Sequence, residues 1–190
     1  MKKVVLAVVT VLSFAFANAQ ESKAVKFGVK AGANYGWLAT GAAPVYDLRP
    51  EVGYHAGLVA EFKMCEKFSF QAEALYSHSE YSFDGNGNTS GTKIELNQVA
   101  VPVLAKFYLV KGLSLELGPQ ATVIVDSKLT NAEGSANFRK YNIDGVSGLA
   151  YDFKSGTFIQ ARYTYSFLNL QNGAAGNNQF GIQASVGYKF

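Results

Sequence analysis

Between Tyr76 and Tyr81 the chain reads YSHSEY, which sets His78 and Glu80 among two serines. A histidine that takes a hydroxyl proton and a carboxylate that orients its ring are two of the three groups a serine nucleophile needs. On an extended chain, however, His78 and Glu80 share one face while Ser77 and Ser79 share the other. Any nucleophile would therefore have to come from a neighbouring segment. A second stretch, DGNGNTSGTKIE, places Asp84, Asn86, Asn88 and Glu95 at the spacing of a calcium loop. Thr89 stands where the sharp turn of such a loop requires glycine, and no helical pattern flanks it, so a polar loop is expected. Cys65 is the sole cysteine, which excludes an intrachain disulfide and a cysteine-based metal cluster. The chain is expected to hold no metal and no cofactor, and not to be an enzyme.

The segments that carry these residues alternate. Residues 25–37 put Val25, Phe27, Val29, Ala31, Ala33, Tyr35 and Trp37 on one face, against Lys26, Gly28, Lys30, Gly32, Asn34 and Gly36 on the other. The same period of two recurs over 52–64, 68–77, 98–109, 113–125, 141–153, 159–167 and 179–190. It marks strands with a different solvent on each side. Tight connections, CEK, VKG and KSG, follow the second, fourth and sixth runs. Longer polar ones follow the others: ATGAAPVYDLRP, DGNGNTSGT, DSKLTNAEGSANFRK and QNGAAGNN. Eight strands in an up-and-down order result, each long enough to cross a membrane at a tilt.

Volume decides which face is inside. A closed barrel of eight strands encloses little more than its own inward side chains, whereas the apolar faces carry roughly three dozen bulky groups. Those groups must point outward, an arrangement that water disfavours and lipid requires. The expected fold is thus all-β: a closed eight-stranded antiparallel up-and-down transmembrane β-barrel. Export agrees with it. Lys2 and Lys3 precede an apolar run from Val4 to Phe16 and the triplet Ala17-Asn18-Ala19, the pattern of a secretory signal peptide over residues 1–19. The barrel domain then occupies 20–190. Loss of Lys2 and Lys3 takes 17 basic residues to 15 against 14 acidic ones, and the formal charge from +3 to +1. No basic tract points to nucleic acid.

The strings themselves carry a resemblance. The closing SVGYKF resembles the terminal signature that the outer-membrane assembly machinery reads in Gram-negative barrels, which would make Tyr188 and Phe190 an assembly signal. The string VAVPVLAKFYLVKGLSLELGPQ resembles the fourth-to-fifth-strand hairpin of the PorT-like outer-membrane β-barrel family, and QARYTYSFLNL its seventh strand. The resemblance covers essentially all of the mature chain. It implies an integral outer-membrane protein whose partners are outer-membrane lipid, the assembly machinery, and envelope or secretion proteins. Some members of that family are tied to type IX secretion and motility.

Several structural expectations follow. Phe27, Phe62, Phe68, Phe107, Phe153, Tyr188 and Phe190 should form an aromatic girdle at the turn end, and Trp37, Tyr54, Tyr76, Tyr141, Tyr165, Phe167 and Phe180 one at the loop end. Pro102 falls inside the fourth strand and should impose a bulge or an unpaired carbonyl. The inward faces hold Lys26, Lys30, Lys63, Lys106, Arg162 and Lys189 against Glu61, Glu73, Glu116, Asp144 and Asp152, with His55 beside them. Near-balance of sign points to a packed charge network, chiefly Lys30, Glu61, Glu73, Lys106, Glu116 and Arg162, rather than an ion pathway. If Leu109 faces Leu113 across VKG, Lys106 faces Glu116. Lys106→Ala should then lower thermal stability more than Lys128→Ala in a loop. The third long loop, with Lys128, Glu133, Arg139 and Lys140, is the expected contact surface. Function is expected to be structural or accessory; the alternatives are a surface adhesin using its long loops, a lipid-modifying enzyme built on His78, and a soluble exported ligand-binding barrel with its faces reversed.

Overall fold

The computed structural model describes residues 25–39, 47–84, 92–130, 140–168 and 178–190. The segment 1–24, with the expected signal peptide, lies outside them, as do Asn86, Asn88, Glu133 and Arg139. The strands are β1 (Val25–Ala39), β2 (Asp47–Pro50), β3 (Val52–Cys65), β4 (Phe68–Asp84), β5 (Thr92–Val110), β6 (Leu113–Thr130), β7 (Tyr141–Asp152), β8 (Thr157–Ser166) and β9 (Asn178–Lys189). Every pairing is antiparallel. The sheet closes because β1 pairs with both β3 and β9 while β4 pairs with both β3 and β5. The last residue takes part: the Phe190 N–H donates to the Phe27 carbonyl at 2.8 Å.

Nine strands make eight staves. Pro50 faces Tyr81 on β4 and Tyr54 faces His78 on the same strand, so β2 and β3 form one stave with an extra residue between them. Asp47–Pro50, read as loop from the sequence, therefore extends the wall. So do residues 126–130, which continue β6 opposite β5; Lys128 pairs with Glu95 in a ladder and is not a loop lysine.

The tight turns behave as their composition demands. Gly112 (φ 88°) and Gly156 (φ 92°) adopt the left-handed backbone that side-chain-bearing residues avoid. Leu109 does not face Leu113. A register shift between Tyr108 and Val110 puts Val110 opposite Leu113, and the Lys106–Glu116 pairing survives because the shift lies beyond it. Pro102 causes no bulge. The β4–β5 ladder loses the rungs at Pro102, between Ala72↔Val103 and Leu75↔Ala100, and the β5–β6 ladder those beside Pro119, between Pro102↔Gln120 and Ala105↔Leu117, but neither changes register. The second shift in this pair sits at Asn97/Gln98.

The faces sort as the volume argument requires. Val29, Leu58, Val103, Leu117, Ile143, Ile159, Ile182 and Val186 are exposed on the outside. Aromatic rings gather at the two ends of this belt. At the turn end Phe68 meets Phe70 at 4.9 Å and Phe107 at 5.0 Å, Tyr151 meets Phe153 at 4.8 Å, and Tyr188 meets Phe190 at 6.1 Å. At the loop end Trp37 lies between Tyr35 (4.8 Å) and Phe180 (5.8 Å), and Tyr165 meets Phe167 at 5.7 Å. Such rings suit the two boundaries between hydrocarbon and water.

Candidate functional site in the barrel lumen

The inward rows come from every stave, and most of their polar members are buried. All six residues of the sequence-derived network are among them: Lys30, Glu61, Glu73, Lys106, Glu116 and Arg162 are each 4% exposed or less. Arg162 on β8 is the central cation. Its guanidinium donates Nη1 to Glu73 Oε2 at 2.8 Å, Nη2 to Glu73 Oε1 at 2.7 Å, and Nε to Glu116 Oε2 at 2.8 Å. A planar fork on one carboxylate with a third donor on another is a geometry that lysine cannot offer. Lys30 completes this tier, 2.8 Å from Glu73 and donating to Gln160 Oε1 at 3.1 Å; Gln160 in turn donates to Glu116 Oε1 at 3.0 Å.

A second tier lies toward the tight turns. Lys106 is 2.8 Å from Asp152, 3.6 Å from Glu61 and 3.8 Å from Glu116. Lys189 bonds Glu61 and lies 2.7 Å from Asp152. The Tyr108 hydroxyl donates to Glu61 and stands 3.0 Å from Asp152 Oδ2. Thus Lys106 does face Glu116 across the hairpin, yet its nearest partner is on β7. Four cations (Lys30, Lys106, Arg162, Lys189) and four carboxylates (Glu61, Glu73, Glu116, Asp152) form one connected, balanced set. Buried charge of this kind persists only when paired and hydrogen-bonded throughout.

Three residues counted with that set stand apart from it. Lys26 and Lys63 are exposed at the turn-end mouth. Asp144 lies toward the loop end and is held by neutral donors, Gln120 at 3.1 Å, Thr122 at 2.6 Å, and Ser166. His55 is buried and its Nε2 is 2.8 Å from Ser185 Oγ, while no described group reaches its Nδ1. Ser69, Gln71 and Gln160 are buried on the inward rows where alternation puts them, and the lumen also takes in Tyr108, Leu104, Leu75, Val146 and Phe158, which the sequence reading had not singled out. Parity would have found them, since Tyr108 shares its row with Lys106 and Phe158 shares its row with Arg162. Phe158 fits because Gly187 faces it: a Cβ at that glycine would sit 2.3 Å from the ring.

Among the described residues, no serine bonds the outward histidine. His78 Nδ1 is 2.7 Å from Asn97 Oδ1, its Nε2 is 3.0 Å from Glu80 Oε1, and its ring stacks on Tyr54 at 5.1 Å. Both ring nitrogens are thus engaged, and the Ser79 hydroxyl instead meets Asn34 on the inner side at 2.8 Å. Glu95, a ligand in the calcium reading, belongs to β5 and faces Glu80 in the ladder. Cys65 is exposed at the end of β3.

A closed wall, an apolar belt between two aromatic girdles and a charged interior define an integral outer-membrane barrel. The chain belongs to the outer membrane protein beta-barrel domain family, whose sequence profile matches residues 16–172. Among solved structures it is similar in fold to the Neisserial surface protein A, NspA, at 15% identity and a TM-score of 0.57, covering 86% of this chain and 97% of that one. It is similar also to the outer membrane protein OprG from Pseudomonas aeruginosa, at 15% identity and a TM-score of 0.53, covering 88% and 97%. A third is Ail, the attachment invasion locus protein of Yersinia pestis, solved with the heparin analogue sucrose octasulfate, at 12% identity and a TM-score of 0.53, covering 88% and 99%. At such identities the likeness concerns the fold. No curated protein matches the chain.

Proposed function

We propose that this protein is a non-enzymatic, non-conducting barrel that serves the outer membrane as a structural or accessory component, inserted by the assembly machinery through Tyr188 and Phe190. The observation that carries the reading is the mutually paired set of charges at the middle of the lumen. Eight mutually paired charges, with Tyr108 and Gln160 between them, fill the middle of an eight-stranded wall, where an ion would have to displace partners at 2.7–2.8 Å. His78, with both nitrogens engaged, offers no free base for an acyl transfer. The resemblance of the hairpin and seventh-strand strings to the PorT-like family, some of whose members are tied to secretion, supports placing the accessory role beside secretion machinery. Purified protein in planar bilayers should give no unitary current, and His78→Ala cells should keep wild-type lipid A by mass spectrometry. Steady channels would overturn the sealed lumen, and altered lipid A the absence of catalysis.

A second reading, a surface adhesin, has one observation in its favour. β4, β5 and β6 have 17, 19 and 18 residues, whereas β8 has 10. A tilted span needs only ~9–11, so with β2 these strands raise a sheet beyond the membrane on the loop side. Removing residues 92–96 and 126–130 together would shorten that sheet. Loss of cell or matrix binding with the barrel still folded would favour adhesion.

A further inference from the structure

At the end of the lumen bounded by the tight turns lies a cavity of about 490 Å³. Its floor is the second tier, Tyr108, Asp152 and Lys189, where every charge already has a partner. Its mouth carries Lys26, Lys63, Lys67, Lys111 and Lys154, all exposed, with Glu66 the one exposed acid among the lining residues. Among the described residues, no salt bridge joins any of these five lysines to a carboxylate. Because the lumen set is balanced in itself, it does not neutralise the mouth. A surplus of positive charge is left in a concave site, where field lines concentrate and oppositely charged groups are drawn in.

We propose that this bowl receives an acidic polypeptide segment of a periplasmic protein. Tight turns of outer-membrane barrels face the periplasm, so the site is open to that compartment. The cations are lysines spread around a rim, point charges on flexible stems, with no arginine fork converging on one spot as a single phosphate would favour. Exposed Leu109 and Val110 line the same mouth and offer apolar contact between the charges. Spread charge with apolar lips fits an extended chain of carboxylates and aliphatic side chains better than a compact anion. The proposal deepens the accessory reading by giving the partner a chemistry.

The test uses the full-length protein in phosphatidylcholine nanodiscs and a fluorescein-labelled peptide of alternating Glu-Glu-Leu units, followed by fluorescence anisotropy. Saturable binding is expected, weakening steeply with salt. It should fall at least tenfold in Lys63→Glu/Lys111→Glu/Lys154→Glu and stay unchanged in Lys140→Glu at the opposite end. Heat-modifiable migration on gels checks that the triple variant is folded, and single reversals serve if it is not. Absence of saturable binding, or equal binding by the variants, overturns the proposal. So does peptide displacement by pyrophosphate at lower concentration than by free peptide, which would make the site a phosphate site, or loss of peptide binding in phosphatidylglycerol discs, which would give the lysines to lipid headgroups. The bilayer and lipid A measurements read the accessory function separately, so either idea can fail alone.

Discussion

Arg162→Met removes the guanidinium that spans Glu73 and Glu116 while keeping an apolar stem of similar length. The lumen set changes from four cations and four carboxylates to three and four. Glu73 keeps Lys30 at 2.8 Å. Among the described residues, Glu116 keeps only the Gln160 amide at 3.0 Å and Lys106 at 3.8 Å, and Lys106 is closer to Asp152. The uncompensated charge therefore falls on Glu116, which is fully buried. Breaking a buried pair from one side costs about 3–5 kcal/mol, and two lost partners place this variant at the upper end. Removing an exposed lysine, as in Lys67→Met, costs about 0–1 kcal/mol. Adding Glu116→Gln to Arg162→Met restores balance and should recover roughly 1–3 kcal/mol of coupling. The assay is urea unfolding in lipid vesicles followed by the fluorescence of Trp37, the only tryptophan, with linear extrapolation. If Arg162→Met loses no more stability than Lys67→Met, or the double variant recovers nothing, the charges are not a coupled network and the argument fails.

Lys106→Ala should lower the melting temperature of the folded barrel clearly, since three carboxylates lie within 3.8 Å of its ammonium; Lys111→Ala should leave it nearly unchanged, as a thermal gel-shift series would show. Gly187→Val should push Phe158 out of its place and destabilise by about 1–3 kcal/mol in the same urea assay, and Gly187→Val/Phe158→Ala should recover part of the loss. Deleting Phe190 removes both the hydrogen bond to Phe27 and the ring beside Tyr188. The heat-modifiable fraction in purified outer membranes should fall several-fold relative to wild type; undiminished insertion would take Phe190 out of the assembly signal.

Much of this architecture was legible because a strand has a period of two. Alternation fixes which side chains share a face, and the excess of bulky apolar groups over any possible lumen volume fixes which face looks out. Val29, Leu58 and Ile182 on the outside, and Lys30, Glu73 and Arg162 on the inside, follow from parity alone. The pairing of Lys106 with Glu116 was reached through a Leu109–Leu113 rung that does not form, and it holds because the shift between Tyr108 and Val110 lies beyond it. The wall height on the loop side was not legible, because residues 47–50 and 126–130 do not alternate strongly and join the sheet by pairing with β4 and β5. Nor was the constancy of register past Pro102, where rungs are lost but those on either side hold the alignment.

What tertiary structure alone decided is who meets whom across the lumen. Arg162 and Glu73 lie 89 residues apart on staves that are not neighbours, as do Lys30 and Gln160 at a separation of 130. Parity says that all of them point inward, but not at what height or toward which opposite wall. Those depend on the tilt and stagger with which the sheet closes, a property of the whole ring of strands that no single strand records.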